Sequence, residues 1–184
     1  MNRIDLLAIG ETDPVMMESL RAALEAEFGV RCQILEASLD PAPSFHPERG
    51  QYSSTDILDR MQKQFGSGVD RLLGVTALDL YVPILTFVFG EAQLNGTCAV
   101  VSTHRLRQEF YGLPADAGLL EVRLLKEAVH ELGHTLGLTH CEDYRCAMAA
   151  SHEVEAIDLK GRSLCHECRA RALALMTRKP AVKR

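Results

Sequence analysis

Between residues 130 and 140 the chain reads His-Glu-Leu-Gly-His-Thr-Leu-Gly-Leu-Thr-His, and this spacing restricts the fold more than any other feature. Residues four apart on a helix lie one turn above each other, so His130 and His134 can aim both imidazoles at one metal ion. Glu131 projects beside that face, where a carboxylate can take a proton from water on the metal. Gly137 is the residue type that most easily adopts the left-handed geometry ending a helix. A chain turned there can bring His140 back as a third ligand. Three neutral imidazoles plus a position open to water is a catalytic zinc arrangement, whereas structural zinc sites close with four protein ligands. The bland alternative is two surface histidines on a helix. With 7 His and 13 Gly in 184 residues, a chance match to the five fixed positions is on the order of 10⁻⁴.

The motif sits on the strongest helical pattern of the chain, residues 118–136. Val122, Leu125, Val129, Leu132 and Leu136 follow the three-four spacing of a core-facing stripe, with Glu121, Arg123, Lys126 and Glu127 off it. Upstream, 4–9 reads as a first strand. Thr12-Asp13-Pro14 then supplies a cap residue and a proline at the first helical position. Met17, Leu20, Leu24 and Phe28 form the stripe of that helix, Gly29 ends it, and 30–35 resumes as strand. Such a strand–helix–strand unit pairs its strands in parallel. The proline-rich stretch 40–50 is expected to be a surface loop. Ser53-Ser54-Thr55-Asp56 resembles a capping box before a second helix with stripe Ile57, Met61 and Phe65. Strands are expected at 72–75, 86–89 and 98–102, and a final helix at 168–177.

Four of the six cysteines fall in the last quarter of the chain: Cys141, directly after the third histidine, then Cys146, Cys165 and Cys168. Two close pairs of thiolates at this separation suit tetrahedral structural zinc, with disulfide pairing the competing arrangement. His166, inside the second pair, is expected to face solvent or orient a ligand. Residues 138–184 hold few large apolar side chains, and a zinc clip would replace the missing core because binding energy at such a site is folding energy. The clip would also fix Cys141 and thereby its neighbour His140. Cys32 and Cys98 lie in apolar, strand-like surroundings and read as core residues.

A length of 184 residues suits one domain, divided by the motif into an upper part (1–137, with the active-site helix) and a lower part (138–184). The formal charge of −5 argues against a general nucleic-acid or lipid-surface binder. The start, Met1-Asn2-Arg3-Ile4-Asp5-Leu6, lacks the profile of a signal peptide, and the apolar stretch 81–89 is too short to span a bilayer. These features lead to the expectation of a monomeric protein of the cytoplasm with no membrane or nucleic-acid partner.

The three histidines, the directly following cysteine, the second cysteine two residues before Met148, and the later Cys165-x-x-Cys168 resemble the archaemetzincin family of zinc metallopeptidases. Arg49-Gly50-Gln51-Tyr52, Tyr81-Val82-Pro83 and 87–92 resemble it less diagnostically. The resemblance implies a metzincin-like α/β (α+β) fold: a twisted, mostly parallel sheet with an antiparallel edge strand, a backing helix, an active-site helix and a small zinc-clipped lower part. It implies two zinc ions per chain, one catalytic and one structural, with Met148 as the Met-turn methionine beneath the metal. It also places the edge strand at about 86–91, so that Phe87, Val88, Phe89, Gly90 and Glu91 would contact a peptide or protein substrate by strand addition. The tyrosine that many metzincins carry shortly after that methionine is absent here; Ala149-Ala150-Ser151-His152 follows instead.

Peptide-bond hydrolysis with Glu131 as general base needs no serine or cysteine nucleophile, and Cys32 and Cys98 have no His partner nearby in sequence. Two other functions compete. One is a zinc-stabilised peptide-binding module with vestigial catalysis, against which Glu131 argues. The other is a nucleic-acid zinc module using Arg169, Arg171, Arg178, Lys179, Lys183 and Arg184. Basic residues at a helix end are equally explained by the helix dipole and a solvated tail.

Overall fold

The computed structural model describes residues 1–177. The chain order is β1 (Arg3–Ile9), α1 (Pro14–Phe28), β2 (Arg31–Leu39), β3 (Phe45–His46), β4 (Gln51–Ser53), α2 (Ser54–Phe65), β5 (Arg71–Thr76), β6 (Leu80–Tyr81), β7 (Gly90–Ala92), β8 (Cys98–Ser102), α3 (Ala117–Thr135), α4 (Val154–Leu159) and α5 (His166–Thr177). The main sheet has the order β2-β1-β5-β8-β7. Its first four strands are parallel and only β7 runs antiparallel, on β8. The sheet thus has the expected composition.

Alternation along the strands sends successive side chains to opposite faces. Leu73, Val75, Ala99 and Val101 meet α1 and α3, while Leu72, Cys98 and Val100 meet Ile57, Leu58 and Met61 of α2. Both faces are covered, as a parallel sheet requires. Cys32 and Cys98 are core residues as expected. The helix starts also follow the sequence: Asp13 accepts from Val15 N at 2.8 Å and Ser53 from Asp56 N at 3.2 Å. Among the described residues no helix is long and apolar enough to cross a membrane.

Three expectations are corrected. The stretch 40–50 is not wholly loop, because β3 pairs with β4 around a turn closed by Gly50 at φ 64. The expected strand at 86–89 is absent, and the edge strand begins only at Gly90. The reason is that the carbonyls before it are taken by side chains: Arg49 donates to Leu85 O and Thr86 O, and Gln51 to Thr86 O. What remains of a ladder there is an isolated bridge between Leu80 and Val88 and the bond from Ser102 N to Phe89 O at 2.8 Å.

The third correction concerns α3, whose Arg123, Lys126 and Glu127 are buried although they lie off the apolar stripe. The helix α4, not anticipated from the sequence, packs on that side. Arg123 forms a bidentate pair with Asp158, and Lys126 Nζ donates to the carbonyls of Ile157 and Asp158. Val122, placed on the stripe by its spacing, is instead 46% exposed.

After Gly137 the chain folds back under α3. Gly137 takes φ 92, and Leu138 N returns a hydrogen bond to Gly133 O at 3.1 Å. The lower part has its own small cluster of Leu136, Leu138, Cys146, Met148, Cys168 and Ala172. It is fastened to the end of α1 by Glu27, which accepts from Ser163 Oγ at 2.8 Å and pairs with Arg169 at 3.3 Å.

Candidate metal centre

The last two turns of α3 and the turn that follows bring His130, His134 and His140 together, with one ring nitrogen from each within 4.8 Å of the others. Backbone carbonyls orient two of the rings. His130 Nδ1 bonds Ala147 O and His134 Nδ1 bonds Leu138 O, both at 2.8 Å. A carbonyl only accepts, so each Nδ1 carries the proton and each Nε2 presents a lone pair. Those two Nε2 atoms face each other at 3.1 Å. Two lone pairs at that distance repel unless a cation lies between them. Zinc–nitrogen bonds of about 2.0–2.1 Å in a tetrahedron would place two ligand nitrogens about 3.3 Å apart. The triad therefore fits a tetrahedral divalent cation, with His140 on the exposed side.

Burial first, then the Lys160 ammonium, lowers His130 to about 3; burial likewise lowers His134 and His140 from their usual value. An imidazole held neutral by the fold but free to protonate when unfolded makes stability fall with acid. The metal-free protein is expected to have its full triad contribution above about pH 6.5, the unfolded value, and to lose it progressively as the pH falls toward 3. Thermal melts of metal-free protein across this range, repeated on His130→Gln, check the sign. The variant's melting temperature should depend less on pH.

Glu131 is buried beside the triad and packs against Gly90 of the edge strand. A Cβ at position 90 would lie 2.7 Å from both Cγ and Oε1 of Glu131 and 2.6 Å from Val100 O. Desolvation raises the Glu131 carboxyl well above its usual range, and the Glu127 carboxylate one turn away adds to the rise. Gly90→Ala is expected to cost roughly 1–3 kcal/mol through overpacking and to lower hydrolysis by displacing Glu131. Melting temperature and turnover measured on the same preparation test it; an unchanged turnover would show that Glu131 does not depend on the contact.

Reading the sequence missed an ion pair beside this carboxyl. Lys160 Nζ meets Glu127 Oε1 at 2.7 Å, with both side chains buried. The hint was Glu127 standing four residues before Glu131, which puts both carboxyls on one helix face.

Met148 is fully buried and packs against Gly133 of α3. Gly133 is what lets it approach: a Cβ there would come within 2.3 Å of Met148 Sδ. The four cysteines of the lower part also converge, their sulfurs within 4.8 Å of one another. Cys141 Sγ and Cys165 Sγ are 3.8 Å apart. That is about the edge of a tetrahedron with zinc–sulfur bonds near 2.3 Å. Backbone N–H groups of Met148 and Cys165 donate to Cys146 Sγ at 3.4 and 3.3 Å, as suits a thiolate. The N–H of Cys168 lowers the Cys165 thiol, whereas burial raises those of Cys146 and Cys168. His166 is exposed, as expected.

A cleft of about 620 Å³ runs over the triad. Its upper wall is 85–92 with Leu94, its floor His130, Glu131 and His134, and its lower wall Thr139, His140 and 150–152. All five residues expected to meet substrate, Phe87 to Glu91, line it. The upper wall is braced from behind. Arg49 lies over the Tyr81 ring at 4.2 Å, and Arg105 is held between Phe87 and Phe110 while forming a bidentate pair with Asp79 at 2.7 Å. The basic residues considered for nucleic acid divide: Arg169 and Arg171 are exposed on α5, and Arg178, Lys179, Lys183 and Arg184 lie outside the described residues.

The comparisons with known proteins point one way. The model of the family described as Peptidase family M54 matches residues 45–173. The archaemetzincin of Methanocaldococcus jannaschii is 42% identical over 166 residues, covering 90% of each chain. The crystal structure of archaemetzincin from Methanopyrus kandleri superposes with a TM-score of 0.84 at 34% identity, over 96% of each chain. That of a zinc-dependent peptidase from Methanocorpusculum labreanum gives 0.82 at 31% identity, over 92% of this chain and 99% of its own. The chain belongs to peptidase family M54, the archaemetzincins, and is a zinc metalloprotease whose substrates are peptides.

Proposed function

We propose that His130, His134 and His140 hold the catalytic zinc, that Cys141, Cys146, Cys165 and Cys168 hold a second, structural zinc, and that Glu131 is the general base of peptide hydrolysis. The observation that carries the first assignment is the pair of unprotonated Nε2 atoms facing each other at 3.1 Å. When bound at the triad, zinc supplies a Lewis acid for the scissile carbonyl and a water that ionises near neutral pH. Glu131 would take a proton from the attacking water as it adds to the carbonyl, and give it to the amine as the C–N bond breaks. Burial serves both steps, since a carboxyl with a raised proton affinity accepts readily and still releases to an amine. Ala147 O and Leu138 O keep the rings of His130 and His134 turned with Nε2 toward the cation.

The peptide is assigned to β7. Phe89 O accepts from Ser102 N, and Gln93 N donates to Cys98 O, so the odd-numbered positions face β8. By the alternation of an antiparallel ladder, Gly90 and Ala92 turn their N–H and C=O outward to the cleft, where an extended chain can add. Phe87, Val88 and Phe89 offer apolar wall to its side chains. The chain acts as a monomeric single domain, with 1–137 carrying the base and two ligands and 138–184 the third ligand, Met148 and the clip; neither nucleic acid nor membrane takes part, and its place is the cytoplasm.

A peptide-library digest read by mass spectrometry, run on zinc-loaded and on chelator-treated protein, tests the assignment. The open triad of neutral ligands should lose metal before the closed site of four thiolates. The expected product is a folded protein with about one zinc per chain, inactive until zinc is restored. Hydrolysis that survives complete zinc removal would overturn the reading.

A further inference from the structure

The sites built from cysteine and from histidine share a short run of backbone. Met148 N–H donates to Cys146 Sγ at 3.4 Å, and Met148 O accepts from Cys141 N at 2.9 Å. The sulfur of one ligand residue and the backbone N–H of another therefore hold Met148 from both sides. The preceding carbonyl, Ala147 O, is the one that orients His130 at 2.8 Å. His140 is joined covalently to Cys141. Two of the three histidines are thus tied to the cysteine cluster, one through the peptide bonds flanking Met148 and one through the chain itself. His134 is not: its partner is Leu138 O, within the helix's own closing turn. Nothing along this path is loose. Ala147 and Met148 are fully buried, and Ala147 N is bonded to Ser163 O at 3.0 Å.

From this geometry we infer that the 146–149 segment couples the two metal sites, so that metal held by the four cysteines raises the affinity of the histidine triad for its own metal. The inference rests on both sites binding metal, as proposed above. Closing the four sulfurs on one ion fixes the position of the Ala147 carbonyl and of His140. Two ligands are then in place before the second ion arrives. With the cysteine site empty, the sulfurs separate and both positions acquire freedom that triad binding must remove. The coupling is an equilibrium property and so is reciprocal: a filled triad must tighten the cysteine site by the same factor.

Metal binding tests this without any substrate. Metal-free protein is given one equivalent of cadmium, which the thiolates take with a charge-transfer absorption. Cobalt is then titrated into the triad and followed by its visible bands. The same titration on Cys165→Ser should show triad affinity for cobalt lowered by about tenfold or more, within the usual range of coupling between sites. Equal affinities in a variant whose circular dichroism is native would overturn the inference.

If that variant does not fold, the reciprocal arm decides. His134→Ala disables the triad without touching any bond to the cysteine site. Its cadmium, challenged by a chelator in excess cobalt, should be held less firmly than in the wild type by a similar factor. Cadmium held equally in both proteins would overturn the coupling. Absence of the thiolate absorption or of cobalt bands in the wild type would instead show that the metal assignments themselves are wrong.

Discussion

Glu131→Ala is expected to bind the catalytic zinc almost normally and to lose hydrolysis by about 10²–10⁴-fold, the usual contribution of a positioned general base. The separation of the two effects follows from the geometry. The metal-facing nitrogens belong to three imidazoles, two of them oriented by carbonyls at 147 and 138. None of these bonds passes through Glu131. Its carboxyl lies instead against Gly90, at the junction of helix and edge strand, where water and peptide would meet. Zinc content by metal analysis and turnover on any peptide found in the library digest should be measured together. Glu131→Gln keeps the volume while removing the base, and should behave like the alanine variant. Wild-type turnover in either would refute the assignment.

The second large effect is expected from Cys165→Ser combined with Cys168→Ser. Half the ligands of the closed site would be lost, and the lower part has little to replace them. The buried members of its cluster are Leu136, Leu138, Met148 and Ala172 with two of the cysteines themselves, and among the described residues Val154 and Ile157 are its only large side chains buried in the main core. Zinc binding at such sites amounts to roughly 10–16 kcal/mol of folding energy in small zinc domains, which exceeds what so few side chains can supply. The double variant should therefore lose the C-terminal fold, its second zinc and its activity. A soluble double variant with unchanged melting temperature and full zinc content would rule out the structural role.

The parts of this molecule that were legible in the sequence are those fixed by local chemistry. Asp13 with Pro14, Ser53 before α2, and Gly137 within the motif each set a backbone event within a few residues, and each is where spacing put it. The metal ligands were legible because a helix turns 3.6 residues and imidazoles must converge. What could not be read depends on partners distant in the chain. Residues 86–89 have strand composition, yet Arg49 and Gln51, more than thirty positions away, claim the carbonyls of Leu85 and Thr86 where that strand would start. Arg123, Lys126 and Glu127 look like a solvated face until α4 and Lys160 are packed on them. The acid behaviour of the triad was hidden for the same reason. A reference value near 6.5 suggests that mild acid suffices to protonate the histidines, but burial holds His130 neutral down to about 3.

The bracing of residues 85–87 by Arg49, Gln51 and Arg105 also bears on the thermodynamics of capture. Confining a backbone residue to one conformation costs about 1–2 kcal/mol, so a slack wall of this length would have to be ordered by each peptide that enters. Here the guanidinium of Arg49 and the amide of Gln51 already hold the carbonyls of Leu85 and Thr86. That ordering is completed when the protein folds and is not charged again to each binding event. The entropy lost on association then falls almost wholly on the incoming peptide, and peptides already extended or stiffened by proline have the least of it to lose.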